Sequence, residues 1–207
     1  MREYDLIAEW YASARGVGPG VPEVAALAAS LDDGALVLDA GCGTGLPLTR
    51  VLLEHRCRPV GLDSSAAMLA HFRLNLPGVP AVRARLQGCP LADGTLHAVV
   101  AWGVMFHLDH REQREAVAEA SRVLRPGGLF LFTSGDEHGS KDGEPMNGVP
   151  FRYHSFSRDG YRALLGECGL SLEDVHADSG RNTHYLARRS GPGSVPRPPR
   201  GAQSEAR

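Results

Sequence analysis

The sequence has no paired cysteine spacing, no long apolar run and little net charge. Its four cysteines are scattered over 207 residues, so the sequence indicates neither a zinc motif nor a disulfide framework, and the thiols are expected to be reduced. No stretch has the length of a transmembrane helix, and the first residues do not have a signal-peptide pattern. We therefore expect a soluble, cytoplasmic protein with no membrane partner.

A basic surface is also missing from most of the chain. The formal net charge is −2, and the last twenty residues contribute +4, so the preceding residues carry about −6. Proteins that bind nucleic acids need a basic surface, because many of their contacts are to phosphates. The acidic body therefore argues against a nucleic-acid partner.

The length predicts one domain with a sizeable core. We place this domain at residues 1–189 and expect residues 1–31 to form a helical lid. Residues 190–207 are rich in proline and arginine and have no hydrophobic periodicity, so they are predicted to be disordered. No feature of the sequence specifies an oligomeric state.

The chain is organised around an apolar strand that ends in three alternating glycines. Ala35 to Leu38 predicts a buried parallel strand, and Gly41, Gly43 and Gly45 follow it, with Pro47 near the start of the next helix. Glycines permit a sharp turn and let a ligand approach the backbone closely. The pattern predicts a nucleotide-binding strand-turn-helix whose helix N-terminus points at the ligand.

Asp39 and the glycine spacing indicate which nucleotide this turn binds. The dinucleotide fingerprint is Gly-x-Gly-x-x-Gly, whereas the spacing here is Gly-x-Gly-x-Gly. A carboxylate just before the glycines would repel a pyrophosphate but would suit S-adenosylmethionine, which has an amine and no phosphate. The turn resembles the first motif of the class I S-adenosylmethionine-dependent methyltransferases. The residues predicted to hold this cofactor here are Asp39, Gly41, Cys42, Gly43 and Gly45.

Asp63 ends the second predicted strand, Arg58 to Asp63, at the edge where open α/β sheets bind ligands. It follows the glycines by roughly twenty residues, the position of a carboxylate that binds a ribose diol. The alternative is an N-cap for the next helix, although Ser64 and Ser65 could cap equally well. Met68 either faces the adenine ring or belongs to the core.

The N-terminal residues extend the resemblance. Tyr4 to Tyr11 has apolar residues at helical spacing, which by itself predicts an amphipathic helix that covers the core. Small-molecule methyltransferases often begin with a similar stretch that closes over the cofactor. The resemblance implies that Tyr11 offers its hydroxyl to the methionine carboxylate, with Arg15 as a weaker candidate.

The sequence departs from the family pattern at the adenine position. Family members place an aspartate five residues before the proline of a Leu-Pro-Phe segment, where it accepts a hydrogen bond from the adenine amine. This chain has Cys89-Pro90-Leu91, which puts Arg85 at that position, and arginine cannot accept a hydrogen bond. Either the Gln87 side-chain oxygen replaces the aspartate or adenine is held less tightly. The backbone of Leu86 remains available to the ring.

The resemblance also locates the acceptor site. The segment from Gly103 to Leu108 is placed beside the transferable methyl, with His107 as a general base or substrate anchor. A histidine that fixes the loop by hydrogen bonds is the alternative. Tyr153 and His154 occupy a position that often lines the acceptor pocket in the family, and packing of the loop is the alternative there.

The predicted fold is α/β, with a Rossmann-like, seven-stranded, mostly parallel sheet, helices on both faces and an antiparallel C-terminal hairpin. Ser64 and Trp102 complete the predicted cofactor site. We predict no metal site, because the only local candidate, Asp136-Glu137-His138, would direct adjacent side chains to opposite sides of an extended segment. A long loop is expected from Asp136 to Pro150.

The resemblance implies an enzyme that transfers a methyl group from S-adenosylmethionine to a heteroatom of a small-molecule acceptor. Two alternatives remain open. A non-catalytic or degenerate S-adenosylmethionine-binding protein is suggested by Arg85, and an NAD-dependent oxidoreductase is disfavoured by the glycine spacing and Asp39.

Overall fold

The computed structural model describes residues 3–14, 19–177 and 182–191. Arg15 and almost all of the predicted tail lie outside these residues. The helices are α1 (Glu3–Ala14), α2 (Val21–Ala29), α3 (Leu48–Glu54), α4 (Ala66–Asn75), α5 (His110–Val123) and α6 (Arg158–Glu167). The strands are β1 (Leu36–Ala40), β2 (Arg58–Asp63), β3 (Ala81–Arg83), β4 (Leu96–Ala101), β5 (Leu124–Ser134), β6 (Gly139–Asp142), β7 (Arg152–Ser155), β8 (Leu170–Ala177) and β9 (Thr183–Arg189). No helix in this part of the chain is long and apolar enough to cross a membrane.

The main sheet confirms the predicted architecture. Its strand order is β3-β2-β1-β4-β5-β9-β8. The first five strands in this order are parallel, while β9 and β8 form the antiparallel C-terminal edge. The order reverses beside β1, which lies between β2 and β4. Such a reversal opens a crevice at the carboxyl ends of the strands, and this crevice is the usual ligand site of an open α/β sheet.

The central strands are apolar on both faces because each face supports a separate helix layer. In β4, Ala98 and Val100 pack with α2 and α3, whereas Val99 and Ala101 pack with α5 and α6. Alternate residues of a strand point to opposite sides, so a strand covered on both sides reads as a continuous apolar run. This burial fixes the register of β1 and β4 and therefore the position of the loops that follow them.

The fifth strand begins earlier than its sequence predicts. The Pro126-Gly127-Gly128 sequence is typical of a turn and predicts a strand that begins only at Leu129, yet β5 runs from Leu124. Leu124 pairs with Leu96, and the register then shifts before Leu129 pairs with Ala98. The irregular pairing accommodates the proline and glycines inside the strand.

The segment predicted as a long loop contains a β-hairpin. Strands β6 and β7 pair antiparallel, from Gly139 with Ser155 to Asp142 with Arg152. The sequence of β6 is polar and has no β-branched residue, so it carried no strand signal. Gly143 lies against the Tyr153 ring, where a Cβ would come within 2.0 Å of it, so this glycine lets the two arms close.

Candidate active site

A cleft of about 680 Å³ opens at the carboxyl edge of the sheet, beside the reversal in strand order. A smaller cavity of about 290 Å³ adjoins it behind the glycine turn. Nine residues of the predicted cofactor set line the larger cleft: Tyr11, Gly41, Gly43, Asp63, Ser64, Met68, Leu86, Gln87 and Trp102. Asp39 and Cys42 line the smaller cavity.

The three glycines of the turn have different surroundings. Gly41 has a φ of 72°, and a Cβ there would lie 2.2 Å from the Val104 side chain. Gly43 faces the cleft opposite Tyr11. Gly45 lies against Phe72 and lines neither cavity, so its role in the structure is close packing of the turn on α4.

Asp63 connects the glycine turn to the start of α4. Its Oδ2 accepts a hydrogen bond from the Gly43 N–H at 2.9 Å, and its Oδ1 accepts one from the Ser65 N–H at 2.8 Å. Ser65 is the residue that caps α4, because its hydroxyl accepts from the Met68 N–H. Burial raises the pKa of the Asp63 carboxyl, and hydrogen bonds from the backbone of Ser65, Gly43 and Ser64 oppose this effect. A carboxylate has about four acceptor positions, so Asp63 can also accept a hydrogen bond from a ligand hydroxyl.

The smaller cavity has an acidic wall. Asp39 is buried, and its Oδ2 accepts a hydrogen bond from the Thr49 hydroxyl at 2.5 Å. Tyr11 and Trp102 line this cavity as well as the larger cleft. Cys42 is also buried here. Burial is the main cause of the raised pKa of its thiol, and the nearby carboxylates of Asp39 and Asp63 add to this effect. The thiol therefore stays protonated and is no nucleophile.

Arg85 and Gln87 lie at the end of the cleft formed by the loop after β3. The Arg85 guanidinium donates to Glu112 Oε1 of α5 at 2.5 Å, so its charge is paired at the rim. Among the described residues, Gln87 Nε2 is buried and has no hydrogen-bond partner. A buried amide that lines a cleft and lacks a partner fits a ligand that presents hydrogen-bonding ring edges. Met68 and Leu86 provide apolar surface beside it.

Helix α1 covers the cleft and is held by a carboxylate that sequence reasoning missed. Asp5 Oδ1 accepts a hydrogen bond from the Ser65 hydroxyl at 2.6 Å and another from the Ala67 N–H at 3.2 Å. The Ser65 hydrogen bond is the main cause of the lowered pKa of Asp5. The carboxylate lies at the N-terminus of α4, where the helix dipole favours negative charge. In the sequence, Asp5 is a single acidic residue in an amphipathic stretch. Such residues are too common to predict a specific role.

An aromatic cluster borders the cleft where the loop after β4 meets α1 and β7. It comprises Tyr4, Phe106, His107, Phe151 and Tyr153, and the His107 ring centroid lies 5.3 to 5.4 Å from those of Tyr4, Phe151 and Tyr153. Tyr4 and Tyr11 are also in contact, at 5.7 Å between ring centroids. His107 and Tyr153 were predicted individually, Phe106 lies within the predicted segment from Gly103 to Leu108, and Tyr4 is brought here by the packing of α1.

His107 is held as a neutral imidazole. Its Nε2 is hydrogen-bonded to the Tyr4 hydroxyl at 2.9 Å. Burial lowers the pKa of His107 to about 4. Its Nδ1 is buried and has no partner among the described residues. A neutral imidazole with one nitrogen engaged and the other available can accept a proton.

The two predicted acceptor residues of β7 point to opposite sides of the hairpin. Tyr153 packs on His107, whereas the His154 ring is hydrogen-bonded to the Ser140 hydroxyl at 2.6 Å and lies near His110. Adjacent residues of a strand alternate in direction, so they cannot both face one pocket. The geometry therefore does not support His154 as an acceptor contact.

Two further histidine-containing segments have structural partners. His97 Nδ1 accepts a hydrogen bond from the Leu36 N–H at 3.1 Å, which ties β4 to β1. Asp136 is paired with Arg158 at 2.8 Å, while the His138 ring stacks on His110. Asp136 and His138 thus have separate partners.

Comparisons with known proteins agree with this geometry. The family described as "Methyltransferase domain" matches residues 37–128. A Mycolicibacterium smegmatis protein named "Probable S-adenosylmethionine-dependent methyltransferase" is 35% identical over 141 residues, which are 67% of this chain and 53% of that protein. An Arabidopsis thaliana tRNA (carboxymethyluridine(34)-5-O)-methyltransferase is 33% identical over 64% of this chain and 31% of that protein. The chain thus spans about half the length or less of these curated relatives.

A solved structure extends the similarity across nearly the whole fold. The CcbJ methyltransferase from Streptomyces caelestis superposes with a TM-score of 0.75 at 22% identity, covering 91% of this chain and 98% of that one. The glycine turn, the strand order and the sequence similarity all lead to the same family. The chain carries a domain of the class I S-adenosylmethionine-dependent methyltransferase type.

Proposed function

We propose that this protein transfers a methyl group from S-adenosylmethionine to an oxygen or nitrogen atom of a small-molecule acceptor that binds against the aromatic cluster. The observation that carries the proposal is the position of this cluster. Tyr4 and Tyr11 line the cleft and contact each other, and Tyr4 is hydrogen-bonded to His107. Tyr4 therefore joins the cofactor cleft to an aromatic surface that contains one neutral imidazole, while His107 itself is not among the residues that line the cleft.

The residues of the cleft fit the ribose, the ammonium group and the adenine of S-adenosylmethionine. Asp63 retains acceptor positions for the two ribose hydroxyls. Asp39 gives the smaller cavity the negative charge that an ammonium group needs. The amide of Gln87 can accept from the adenine amine and donate to a neighbouring ring nitrogen, as glutamine does with adenine elsewhere.

For this reaction the protein needs mainly to align the acceptor with the cofactor and to exclude water from the site. When bound, S-adenosylmethionine supplies an electrophilic methyl group on a positively charged sulfur. Phe106, Phe151 and Tyr153 form an apolar wall that excludes water and orients a planar acceptor. In our assignment His107 Nε2 donates to the Tyr4 oxygen, and Nδ1 accepts the proton that leaves the acceptor hydroxyl or ammonium.

A nucleic-acid acceptor is the alternative that one relative suggests. The net charge of about −6 outside the last twenty residues opposes binding of phosphates. Helix α1 lies over the cleft and places Tyr4 on the aromatic cluster, which favours an acceptor small enough to be enclosed. Both features support a small molecule over a tRNA.

The other alternative is a protein that binds S-adenosylmethionine without catalysis. This alternative was suggested by Arg85, which cannot accept a hydrogen bond from the adenine amine. Its guanidinium is paired with Glu112, and Gln87 offers an amide to the adenine position. This arrangement supports a competent cofactor site without an acidic residue at position 85.

The first experiment measures binding of S-adenosylmethionine, its demethylated product and NAD by calorimetry. We expect the first two to bind wild type and to bind Asp63→Ala at least about tenfold more weakly, because charge-assisted hydrogen bonds to the ribose are lost. Asp142→Ala, which removes an exposed carboxylate of β6, is the matched control. Binding of NAD in place of both would contradict the proposal.

The second experiment is a transfer assay against phenols, amines and carboxylic acids, with tRNA included as a competing acceptor class. The assigned base is supported if a small molecule is methylated and His107→Phe slows this methylation without changing the affinity for the cofactor. Turnover of His107→Phe that equals wild type at every pH excludes it. Methylation of tRNA alone, or cofactor binding without transfer to any acceptor, contradicts the proposed acceptor class.

A further inference from the structure

Three metal-ligating side chains meet on the antiparallel edge of the sheet. Asp174 and His176 lie on β8, and His184 lies on β9. His176 and His184 are directly opposed in the strand register, and Asp174 lies two residues before His176 and so on the same face. Each residue offers one ligand atom, and these atoms lie within 4.8 Å of one another.

We propose that Asp174, His176 and His184 bind one divalent transition-metal ion of the Zn²⁺ or Ni²⁺ type. Imidazole nitrogens select such ions over Mg²⁺ and Ca²⁺, which prefer oxygen ligands only, and a carboxylate adds charge to the site. The proposal is independent of methyl transfer, since none of the three residues lines the cofactor cleft.

The distances suit a metal with small movements of the side chains. His176 Nδ1 lies 2.9 Å and His184 Nε2 lies 3.9 Å from the same oxygen, Asp174 Oδ2. Ligand atoms about 2.1 Å from an ion at a tetrahedral angle are about 3.4 Å apart, so each distance needs to change by only about 0.5 Å. The contact between Asp174 and His176 would give way to two metal bonds.

One of the three side chains is buried and the other two are half exposed, an arrangement that suits a metal site. The His184 side chain is buried beside the Trp102 ring, at 6.1 Å between centroids, so one ligand is already ordered. Asp174 and His176 are about half exposed, at 52% and 55%, so an ion can enter from solvent and water can fill its remaining positions. An ordinary surface ion pair would need neither the second histidine nor its burial.

Trp102 provides a reporter for the test. The chain has two tryptophans, so Trp10→Phe leaves Trp102 as the single indole. In this background, without an affinity tag containing histidines, Ni²⁺ is titrated while tryptophan fluorescence is recorded, because open-shell ions quench a nearby indole. We expect saturable quenching at one equivalent. His176→Ala and Asp174→Asn should each weaken binding at least about tenfold, since loss of an ordering or ligating group has effects of this size.

Matched variants distinguish this site from adventitious binding. His55→Ala removes an exposed histidine of the loop after α3, and Asp142→Asn removes an exposed carboxylate of β6; both should leave the titration unchanged. Zn²⁺ should compete with Ni²⁺ and restore fluorescence, and should raise Tm in wild type but not in His176→Ala. Absence of saturable binding at micromolar Ni²⁺, or quenching that survives both cluster substitutions, overturns the proposal.

Discussion

At the residue scale, burial decides the chemistry of the polar groups in the cleft. The same loss of solvent raises the pKa of the Asp63 carboxyl and lowers that of His107, because in each case the charged form is disfavoured. Asp63 is compensated by backbone donors, whereas the hydrogen-bond partner of the His107 imidazole is a neutral hydroxyl. Asp63 therefore suits ligand hydroxyls, whereas His107 is neutral near pH 7 and its lowered pKa makes it a weaker base than a solvated imidazole.

The pH dependence of stability should reveal the buried imidazole. The pKa of His107 is about 4 when folded and near 6.5 when unfolded, so the unfolded state binds more protons between these values. Its contribution is complete above pH 6.5 and is lost as the pH falls towards 4, by roughly 3 kcal/mol in total. Urea unfolding at pH 7 and pH 5 should show a smaller pH effect in His107→Phe than in wild type.

His97 and His154 also have lowered pKa values, chiefly through burial, and act in the same direction. Comparison with His97→Phe and His154→Phe therefore separates their contributions from that of His107. An identical pH dependence in His107→Phe and wild type would contradict a neutral buried His107.

The Gln87 amide should determine adenine affinity. Gln87→Ala removes both its donor and its acceptor, so we expect S-adenosylmethionine to bind about tenfold more weakly, which corresponds to one or two hydrogen bonds. Arg85→Gln keeps a side chain of similar length at the rim and removes only the ion pair with Glu112. The affinity for S-adenosylmethionine should therefore change by no more than about twofold. Calorimetry that shows the larger loss in Arg85→Gln would reverse this assignment.

At the scale of elements, α1 is positioned by side chains more than by its own helix propensity. Asp5 joins the start of α4, Tyr4 reaches the aromatic cluster, and Glu9 forms an exposed pair with His71 at 3.2 Å. An isolated helix of this length is marginal in water, so its stability depends on these contacts.

Removal of the Asp5 carboxylate should loosen the lid. Asp5→Ala deletes the acceptor of the Ser65 hydroxyl and the Ala67 N–H, so we expect cofactor affinity to fall about fivefold, the equivalent of one lost cap. Limited proteolysis should also cut α1 faster. Glu9→Ala is the control, because a 92%-exposed carboxylate contributes little; an equal loss in both variants would contradict a specific role for Asp5.

At the scale of the whole molecule, one buried polar network joins the sheet, two helices and the β6–β7 hairpin. The Tyr161 hydroxyl of α6 donates to Gln113 Oε1 at 2.6 Å and is hydrogen-bonded to Ser134 of β5. The Gln113 amide donates to the carbonyls of Leu108 and His154 at 2.9 and 3.0 Å. Burial raises the pKa of Tyr161 to about 12, so it remains a donor. The network holds the loop that carries His107 against the hairpin that carries Tyr153.

Tyr161→Phe should destabilise the protein without creating a cavity. It leaves the Gln113 oxygen without its donor in a buried site, so we expect a loss of about 1 to 3 kcal/mol in the free energy of unfolding. Tyr153→Phe removes a hydroxyl that is only partly buried and should cost less than about 0.5 kcal/mol. Urea titrations of the two variants test this order, and equal stabilities would contradict a structural role for the network.

Local sequence pattern was sufficient to predict several features of the fold. The apolar run and glycines around Gly41 specified a strand and turn, the position of Asp63 followed from the second strand, and the alternation of strands and helices specified a parallel sheet. These could be predicted because helical and strand periodicities, and the glycine requirement of a tight turn, are properties of consecutive residues.

Contacts between side chains that are distant in sequence could not be predicted and are seen only in the folded chain. The aromatic cluster takes Tyr4, His107 and Phe151 from three separate segments, and His184 reaches Asp174 only through the register of β8 with β9. A shift of one residue in that register would turn the side chain to the other face, so spacing along the chain does not encode the encounter. Register and helix docking are fixed by burial of the two apolar layers, which is a property of the whole chain.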